Sequence, residues 1–208
     1  MHKTIEPNIL YFGTPVVLIS TLNQDGTTNL APMSSAWWLN QSCMLGMSSE
    51  SQTIHNLQRE QECVLNLPSF ELVGAVDKLA LLTGRNPVPE PKKKMGYCYE
   101  ADKFGKSKLT SISADLVKAP LVKECPVQLE ARFVKSHPFE EPSSLLAIEV
   151  KILRVHIDEK LLIDEKKNYI NPEKWKPLIM NFCEFFSVGP KIHPSRLAKP
   201  FIDAHYKN

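Results

Sequence analysis

Apolar residues in the first fifty positions fall into short runs separated by turns, a pattern typical of antiparallel strands. Residues 15–22 form a β-branched apolar run that predicts a buried strand. Residues 23–26 end in Asp-Gly, which favours the tight turn of a β-hairpin. Three further short strands are predicted over 27–31, 35–39 and 43–47. Four strands joined by short turns indicate an antiparallel meander or barrel.

The spacing of apolar residues becomes helical after residue 50. A serine followed three residues later by glutamine is typical of a capping box, and it predicts a short helix over about 51–60. A strand is predicted over 63–67, and an apolar helical face predicts a second helix over 68–84. Residues 85–110 are rich in proline and show little periodicity, so we expect loops there.

The second half of the chain returns to strands. Residues 127–133 alternate apolar and polar side chains, as a half-buried strand does. Residues 145–157 alternate as well, but the phase changes near Ile152 and Leu153, which predicts a β-bulge or a strand shared by two sheets. We expect one mainly β domain with a few helices over residues 1–208, with a barrel core over about 9–160 and a C-terminal extension over about 161–208.

Glycine usage limits how a phosphate could be bound. The 208 residues include only 8 glycines but 16 prolines, and no two glycines are spaced as in a dinucleotide-binding fingerprint or a P-loop. A phosphorylated ligand would therefore have to bind hydroxyl groups and helix-end amides instead of a glycine-rich loop.

Charge and cysteine usage limit the possible ligands and the cellular location of the protein. The net charge of +2 is too small to indicate nucleic-acid binding, and the run of three lysines at 92–94 is expected to be a solvated loop. The five cysteines are odd in number and form no C-x-x-C motif, as expected of reduced thiols in a cytoplasmic protein. No apolar run is long enough for a membrane span, and the histidines lack metal-ligand spacing, so we expect neither a membrane segment nor a metal site.

Serine and threonine crowd into residues 27–53, which hold nine of the 24 in the chain. Several of them fall at the predicted start of the first helix, where unpaired backbone N–H groups and the helix dipole favour an anion. Two interpretations remain open from the residues alone. The hydroxyl groups bind a phosphate, or Ser49 and Ser51 only cap the helix.

A family resemblance bears on this choice. Residues 11–35, YFGTPVVLISTLNQDGTTNLAPMSS, resemble the opening of flavin reductase-like proteins, and the similarity continues through 48–56 and 63–68. Later segments, among them CPVQLE at 125–130 and Lys103-Phe104, are similar to the flavoredoxin-like branch of that family. The resemblance implies an FMN-binding split β-barrel, a Greek-key antiparallel barrel.

The resemblance also implies the cofactor-binding residues. The flavin ring would lie along one strand, on Asn29, Ala31, Pro32, Met33, Ser34 and Ser35. The phosphate would lie on Met47, Ser48, Ser49, Gln52 and Thr53. These residue types suit the task, because Pro32 removes a backbone donor from the strand and the small side chains nearby let a flat ring approach.

An activity follows from the resemblance as an expectation. The chain would be an oxidoreductase that binds FMN and passes a hydride to it from NAD(P)H, as a flavin reductase does. It would form a homodimer, with Trp37 and Trp38 in a core or a subunit interface, and would serve a monooxygenase or electron-transfer protein as partner. Two alternatives stay open: a flavoredoxin-type electron carrier supplied by a protein partner, and a non-catalytic flavin-binding protein.

Overall fold

The computed structural model describes residues 1–140, 143–163 and 168–198. Its strands are β1 (Thr14–Pro15), β2 (Val17–Leu22), β3 (Thr28–Met33), β4 (Ala36–Leu39), β5 (Ser42–Ser48), β6 (Glu62–Leu67), β7 (Leu82–Thr83), β8 (Cys98–Tyr99), β9 (Ser111–Ile112), β10 (Leu121–Val122), β11 (Val127–Phe139), β12 (Leu145–Ile157), β13 (Leu178–Asn181) and β14 (Glu184–Ser187). Its helices are α1 (Gln52–Glu60), α2 (Val73–Asp77), α3 (Glu90–Lys94) and α4 (Lys103–Ser107), with 3₁₀ turns at Phe70–Leu72 and Glu159–Leu161. The mainly β prediction is confirmed.

A seven-stranded antiparallel sheet dominates the fold, with strand order β3-β2-β6-β11-β12-β5-β4. Its two edge strands, β3 and β4, are consecutive in the chain, and only Ser34 and Ser35 separate them. The sheet therefore curls until its two edges meet, as in a barrel. The backbone N–H of Gly46 on β5 donates to the carbonyl oxygen of Ser35 at 2.7 Å and fixes the chain where it crosses from one edge to the other.

Strand β2 is buried on both faces, which explains its continuous apolar sequence. Ile19 belongs to the cluster inside the barrel, with Leu45, Leu65 and Ile148. The adjacent Leu18 points to the opposite face, because successive side chains alternate across a strand, and joins the cluster under α2 and α4. Two apolar clusters thus hold the site-forming segments against the barrel.

The phase change predicted in residues 145–157 is confirmed as a bulge. Glu130 pairs with Arg154, but the next residue, Ala131, pairs with Ile152, so Leu153 has no partner across the ladder. One extra residue on β12 moves each following side chain to the other face of the sheet.

The long helix predicted over 68–84 is wrong. The chain forms the 3₁₀ turn and the five-residue helix α2 instead, followed by successive i to i+3 turns in which Leu79 N–H donates to Val76 and Leu82 N–H donates to Leu79. Val76, Leu79 and Leu82 recur every three residues, which suits turns of 3₁₀ type better than the 3.6-residue α-helical period. Val76 and Leu79 are buried as predicted, but Val73 is exposed, because the period of the apolar residues is not that of an α-helix.

Residues 85–110 are more ordered than the predicted loops. They contain the short helices α3 and α4, and β8 pairs with β7 in parallel. Proline occupies the first turn of α3, where its missing N–H costs nothing. Lys93 and Lys94 are exposed on α3 as expected of a solvated run, whereas Lys92 is half-buried.

Strands after residue 160 pack back on the start of the chain. β13 pairs with β1 and with β14 in a three-stranded sheet, and Leu178 is buried against Val16 and Leu18. Part of the expected extension over 161–208 lies outside the described residues, and the division of the chain into core and extension stays a prediction. No helix in the described segments has the length and apolar character to cross a membrane.

Candidate functional site

A small cavity of about 120 Å³ lies where β3, the start of α1 and the segment from β7 to α4 meet. One side of the cavity comes from the hairpin and the first helix. It contains six of the eleven predicted site residues, Asn29, Ala31, Pro32, Met33, Gln52 and Thr53, together with Ser51, which was considered only as a helix cap. The later segment supplies Ala80, Thr83, Gly84, Lys92, Tyr97 and Lys103. Residues more than seventy positions apart therefore build one site.

Five of the eleven predicted site residues do not line this cavity. Ser34 lines a neighbouring cavity, and the side chain of Met47 is buried inside the barrel. The hydroxyl of Ser48 accepts a hydrogen bond from Glu50 N–H, and the backbone N–H of Ser49 donates to Ser144. Ser35 instead lies at the closure of the barrel. The roles of all eleven residues in binding a cofactor stay predictions.

The first turn of α1 faces the cavity through Gln52 and Thr53. Ser51 is the N-cap, since its hydroxyl accepts from Ile54 N–H at 3.2 Å. Of the two serines considered as caps, Ser51 therefore has that role. The other N–H groups of the first turn have no partner within the helix, and the positive end of the helix dipole lies at this same end of α1.

Asn29 is the centre of a buried polar network beside the cavity. Its Nδ2 donates to the hydroxyl oxygens of Thr21 and Thr53, each at 3.3 Å. Its Oδ1 accepts from the ammonium group of Lys103 at 3.0 Å. Because Thr53 already accepts from Asn29, its own O–H remains available to donate toward the cavity. Asn29 thereby fixes the orientation of two groups that can bind an anion.

Lys103 is a buried cation that forms no ion pair with a carboxylate in the described part of the chain. It is only 3% exposed, and Asn29 Oδ1 is the hydrogen-bond acceptor that its ammonium group finds among the described residues. Burial first, and then the charge of Lys92, lower its pKa to about 8, while Glu100 acts in the opposite direction. A buried charge with so little compensation is costly, and an anionic ligand would remove much of that cost.

We expect the ligand-free protein to become more stable as pH rises from about 8 to 10.5. The unfolded chain keeps the Lys103 proton up to the ordinary lysine pKa of 10.5, whereas the folded chain loses it at about 8. The unfolded state binds more protons in this window, so the free energy of unfolding rises with pH, by up to about 1.4 kcal/mol per pH unit. Urea unfolding across the window, compared with Lys103→Met, isolates this contribution. Equal slopes in the two proteins would contradict it.

Two further cations belong to this region: Lys92 lines the cavity, and Arg85 directly follows the lining residue Gly84. Lys92 is half-buried, with its ammonium nitrogen 5.4 Å from the centre of the Tyr97 ring. Arg85 follows Gly84, and its Nε is buried without a hydrogen-bond partner in the described part of the chain. None of the ion pairs found there includes Arg85, Lys92 or Lys103. Burial lowers the pKa of Lys92, opposed by Glu50 and reinforced by Arg85.

A second cavity, of about 160 Å³, shares Pro32, Met33 and Ala80 with the first. Its remaining wall is almost entirely apolar and consists of Val16, Ser34, Val76, Met180 and Phe185. Pro32 therefore lines both a cavity with cationic residues and a mainly apolar cavity. This pairing suits a ligand that carries both a phosphate and an aromatic ring.

One group of potential metal ligands occurs among the described residues: Asp115, Glu130 and His156. Glu130 is fully buried, and its carboxylate accepts from three consecutive backbone N–H groups of residues 115–117. Its oxygen also lies 2.7 Å from His156 Nε2, and Asp115 pairs with Arg154. These contacts account for the cluster as an anchor between a loop and the sheet.

The cations that complete the site were not predicted from the sequence. Lys103 was noticed only within a segment of family resemblance, and Lys92 only as part of a lysine run. The one local signal is Asp102, whose carboxylate caps α4 by accepting from Gly105 N–H and so sets the start of that helix. The bond between Lys103 and Asn29 spans 74 positions, and no local pattern encodes it.

Comparison with known proteins gives the family. The family model for the flavin reductase like domain matches residues 9–172. The chain belongs to the flavin reductase-like family. This family assignment confirms the resemblance seen in the sequence, and the fold is the split barrel that it implied.

Relatives of this flavin reductase-like chain include the uncharacterized protein YdfE of Bacillus subtilis (strain 168), 40% identical over 190 residues, or 91% of each chain. Among solved structures, flavoredoxin of Desulfovibrio vulgaris (Miyazaki F) matches with a TM-score of 0.78 at 21% identity, over 96% of this chain and 100% of that one. Nitrilotriacetate monooxygenase component B from Bacillus cereus matches with a TM-score of 0.72 at 18% identity, over 93% and 99%. At these identities the two structures establish the fold.

Proposed function

We propose that the chain binds FMN at the paired cavities and passes to it a hydride taken from NAD(P)H. The observation that carries the proposal is a group of cations near the N-terminus of α1. Lys103, Lys92 and Arg85 have no carboxylate partner among the described residues. Membership of the flavin reductase-like family is the reason to propose a flavin as the ligand. The cations and the first turn of the helix supply a reason for a phosphate-bearing flavin in particular.

The residues present fit FMN at both ends. A phosphate monoester carries about two negative charges at neutral pH and accepts several hydrogen bonds, which matches two or three cations and a free helix N-terminus. The aromatic ring requires an apolar wall, and Met33, Met180 and Phe185 provide one on the other side of Pro32. The single orphaned guanidinium nitrogen, Arg85 Nε, is a donor for which the described protein offers no acceptor.

A bound flavin would supply the hydride chemistry, so the protein needs no nucleophile of its own. Lys103 and Thr53 would bind the phosphate, and Asn29 would keep both in position. Pro32 would leave the strand without one backbone donor and so keep this edge open to the ring. The eleven residues predicted from the sequence are retained in the proposal, with Lys103 and Lys92 added.

The same proposal includes a homodimer in the cytoplasm. Trp37 and Leu39 are 55% and 67% exposed on the edge strand β4, and exposed apolar residues on an edge strand favour a subunit contact. Trp38, in contrast, packs against the barrel core. A monooxygenase component or an electron-transfer protein would accept the electrons. The cytoplasmic location rests on the cysteine usage.

Anaerobic addition of NADH or NADPH to FMN-loaded protein tests the proposal. We expect the flavin absorption near its long-wavelength maximum to bleach with at least one of the two nucleotides, and steady-state turnover when free FMN is added. Riboflavin, which lacks the phosphate, should bind at least about tenfold more weakly than FMN, the scale of a charge-assisted hydrogen bond.

Other outcomes separate the alternatives. Protein that binds FMN tightly but oxidises neither nucleotide would contradict the reductase and favour a flavoredoxin-type carrier, which a reduced protein partner should then be able to reduce. Protein that binds FMN and accepts electrons from neither source would be a non-catalytic flavin-binding protein. Protein that takes up no flavin would overturn all three.

A further inference from the structure

Arg59, in the last turn of α1, does not line the cavity but is connected to it through other side chains. Its Nη2 donates to the carbonyl oxygen of Leu22 at 2.6 Å and to Asn56 Oδ1 at 3.1 Å. Its Nε donates to the Glu60 carboxylate at 2.7 Å. Arginine has no acceptor atom, so an amide that bonds to it must present its oxygen. Arg59 therefore fixes which way the Asn56 amide points.

Asn56 passes this orientation on to Gln52. Asn56 is fully buried, and its Nδ2 donates to Thr21 Oγ1 at 3.0 Å and to Asn23 Oδ1 at 2.9 Å. Its Oδ1, which faces Arg59, also accepts from Gln52 Nε2 at 2.9 Å. Gln52 Nε2 donates in addition to Asn23 Oδ1 at 3.2 Å. Both N–H groups of the Gln52 amide are therefore bonded within the protein.

A reversed Gln52 amide is unfavourable in this network. Turning the amide over would place Oε1 against Asn23 Oδ1 and Asn56 Oδ1, which brings three acceptors together without a proton between them. Turning the Asn56 amide over as well would place its Nδ2 against Arg59 Nη2, two donors without an acceptor. The network therefore has one favourable direction, and Arg59 sets it because arginine can only donate.

The carbonyl oxygen of Gln52 is the part of this amide that is left for a ligand. Gln52 lines the cavity, and its Oε1 has no hydrogen-bond partner in the part of the chain that the structure describes. An amide oxygen can only accept, and a phosphate monoester near neutral pH presents mainly acceptor oxygens. Hydroxyl groups, such as those of the ribityl chain between the flavin ring and the phosphate, are the donors that match it.

We propose that Arg59 is a positioning residue for the Gln52 amide, and that this amide accepts a hydrogen bond from a hydroxyl group of the ligand and does not bind its phosphate. The proposal rests on the proposed function for the identity of the ligand. It differs from the expectation based on the sequence, which grouped Gln52 with the phosphate. In this arrangement Lys103 and Thr53 bind the anion, and Gln52 binds the polyhydroxyl chain.

Three flavins separate the two possible roles of Gln52. Riboflavin lacks the phosphate of FMN, and lumiflavin lacks both the phosphate and the hydroxyl groups. In titrations followed by flavin fluorescence, we expect Gln52→Met to weaken FMN and riboflavin by the same factor, about three- to tenfold, and to leave lumiflavin unchanged. A loss confined to FMN would overturn the proposal, because Gln52 would then bind the phosphate. Unchanged affinity for FMN and riboflavin would overturn it as well.

A double-mutant cycle tests whether Arg59 acts through Gln52. Arg59→Met should weaken riboflavin about three- to tenfold in the wild type and by less than about twofold in the Gln52→Met background. Arg59→Lys keeps a side chain that can only donate and should bind riboflavin within about twofold of the wild type. Glu60→Gln, the matched control, removes the ion pair of Arg59 but not its bond to Asn56 and should bind normally. Equal losses in the two backgrounds would contradict the positioning role.

Hydrogen exchange of the Gln52 side-chain amide, measured by NMR on flavin-free protein, keeps the two proposals distinguishable. We expect this amide to exchange at least about threefold faster in Arg59→Met than in the wild type or Glu60→Gln, because it is then free to turn. Unchanged exchange in Arg59→Met would overturn the role of Arg59. Wild-type protein that binds no flavin would overturn the proposed function, and the exchange rates would still decide whether Arg59 positions the amide.

Discussion

Lys103→Met is expected to weaken FMN binding by about 10- to 100-fold and to leave riboflavin binding unchanged. The ammonium group of Lys103 is buried at the cavity, and Asn29 Oδ1 is the acceptor it has there in the ligand-free protein. Hydrogen bonds to charged groups contribute about 1.5–3 kcal/mol, and each 1.4 kcal/mol corresponds to a factor of ten in Kd. Quenching of flavin fluorescence measures both affinities.

Lys106→Met is the matched control for this prediction. Lys106 lies on the same short helix, α4, but its side chain is exposed and does not line the cavity. It should bind FMN as the wild type does. If Lys103→Met lost FMN and riboflavin to the same extent, the lysine would support the ring or the fold and not the phosphate, and the cavity would no longer be the phosphate site.

Much of the barrel could be predicted because its signals are local. Strand β12 was predicted with its observed ends, Leu145 and Ile157, and its bulge could be placed because an extra residue changes the side-chain phase within a few positions. Helix α1 was predicted because its apolar spacing lies within ten residues, but the predicted capping box of Ser49 and Gln52 was wrong, since the N-cap is Ser51. The order of strands in the sheet is different, since pairs such as β12 with β5 join segments about a hundred residues apart.

The candidate site also has one half that could be predicted from local signals and one half that could not. Its half on β3 and α1 carried a compositional signal, the crowding of hydroxyl residues, and a family resemblance. Its other half comes from a segment whose spacing indicated only loops, and there Lys92, Tyr97 and Lys103 turn inward. A buried lysine has no signature in a sequence, because lysine is ordinarily exposed and only a tertiary partner such as Asn29 reveals the exception.

One glycine, Gly84, has a role in the candidate site that the scarcity of glycine in the sequence did not indicate. The scarcity of glycine excluded a glycine-rich phosphate loop, yet one glycine is needed where the segment after β7 passes close to β3. A Cβ added at Gly84 would come within 2.6 Å of Asn29 Oδ1 and 3.1 Å of Gln52 Cγ. The role of Gly84 is to permit this approach of backbone to side chain, which no glycine motif could have indicated.

Gly84→Ala is therefore expected to destabilise the ligand-free protein by about 1–3 kcal/mol and to weaken FMN binding at least about tenfold. The added methyl group must displace the Asn29 amide, which orients Lys103 and Thr53 in the polar network, and overpacking of this kind has costs in that range. Urea unfolding and flavin titration measure the two effects on the same preparation.

Gly74→Ala is the matched control for this substitution. A Cβ at Gly74 meets nothing within 4 Å, and the residue lies in α2, where alanine is the better helix former. This control should be neutral or stabilising by up to about 1 kcal/mol and should bind FMN normally. Normal stability and normal FMN affinity in Gly84→Ala would show that Asn29 is free to move, and the polar network would then not position the anion-binding groups.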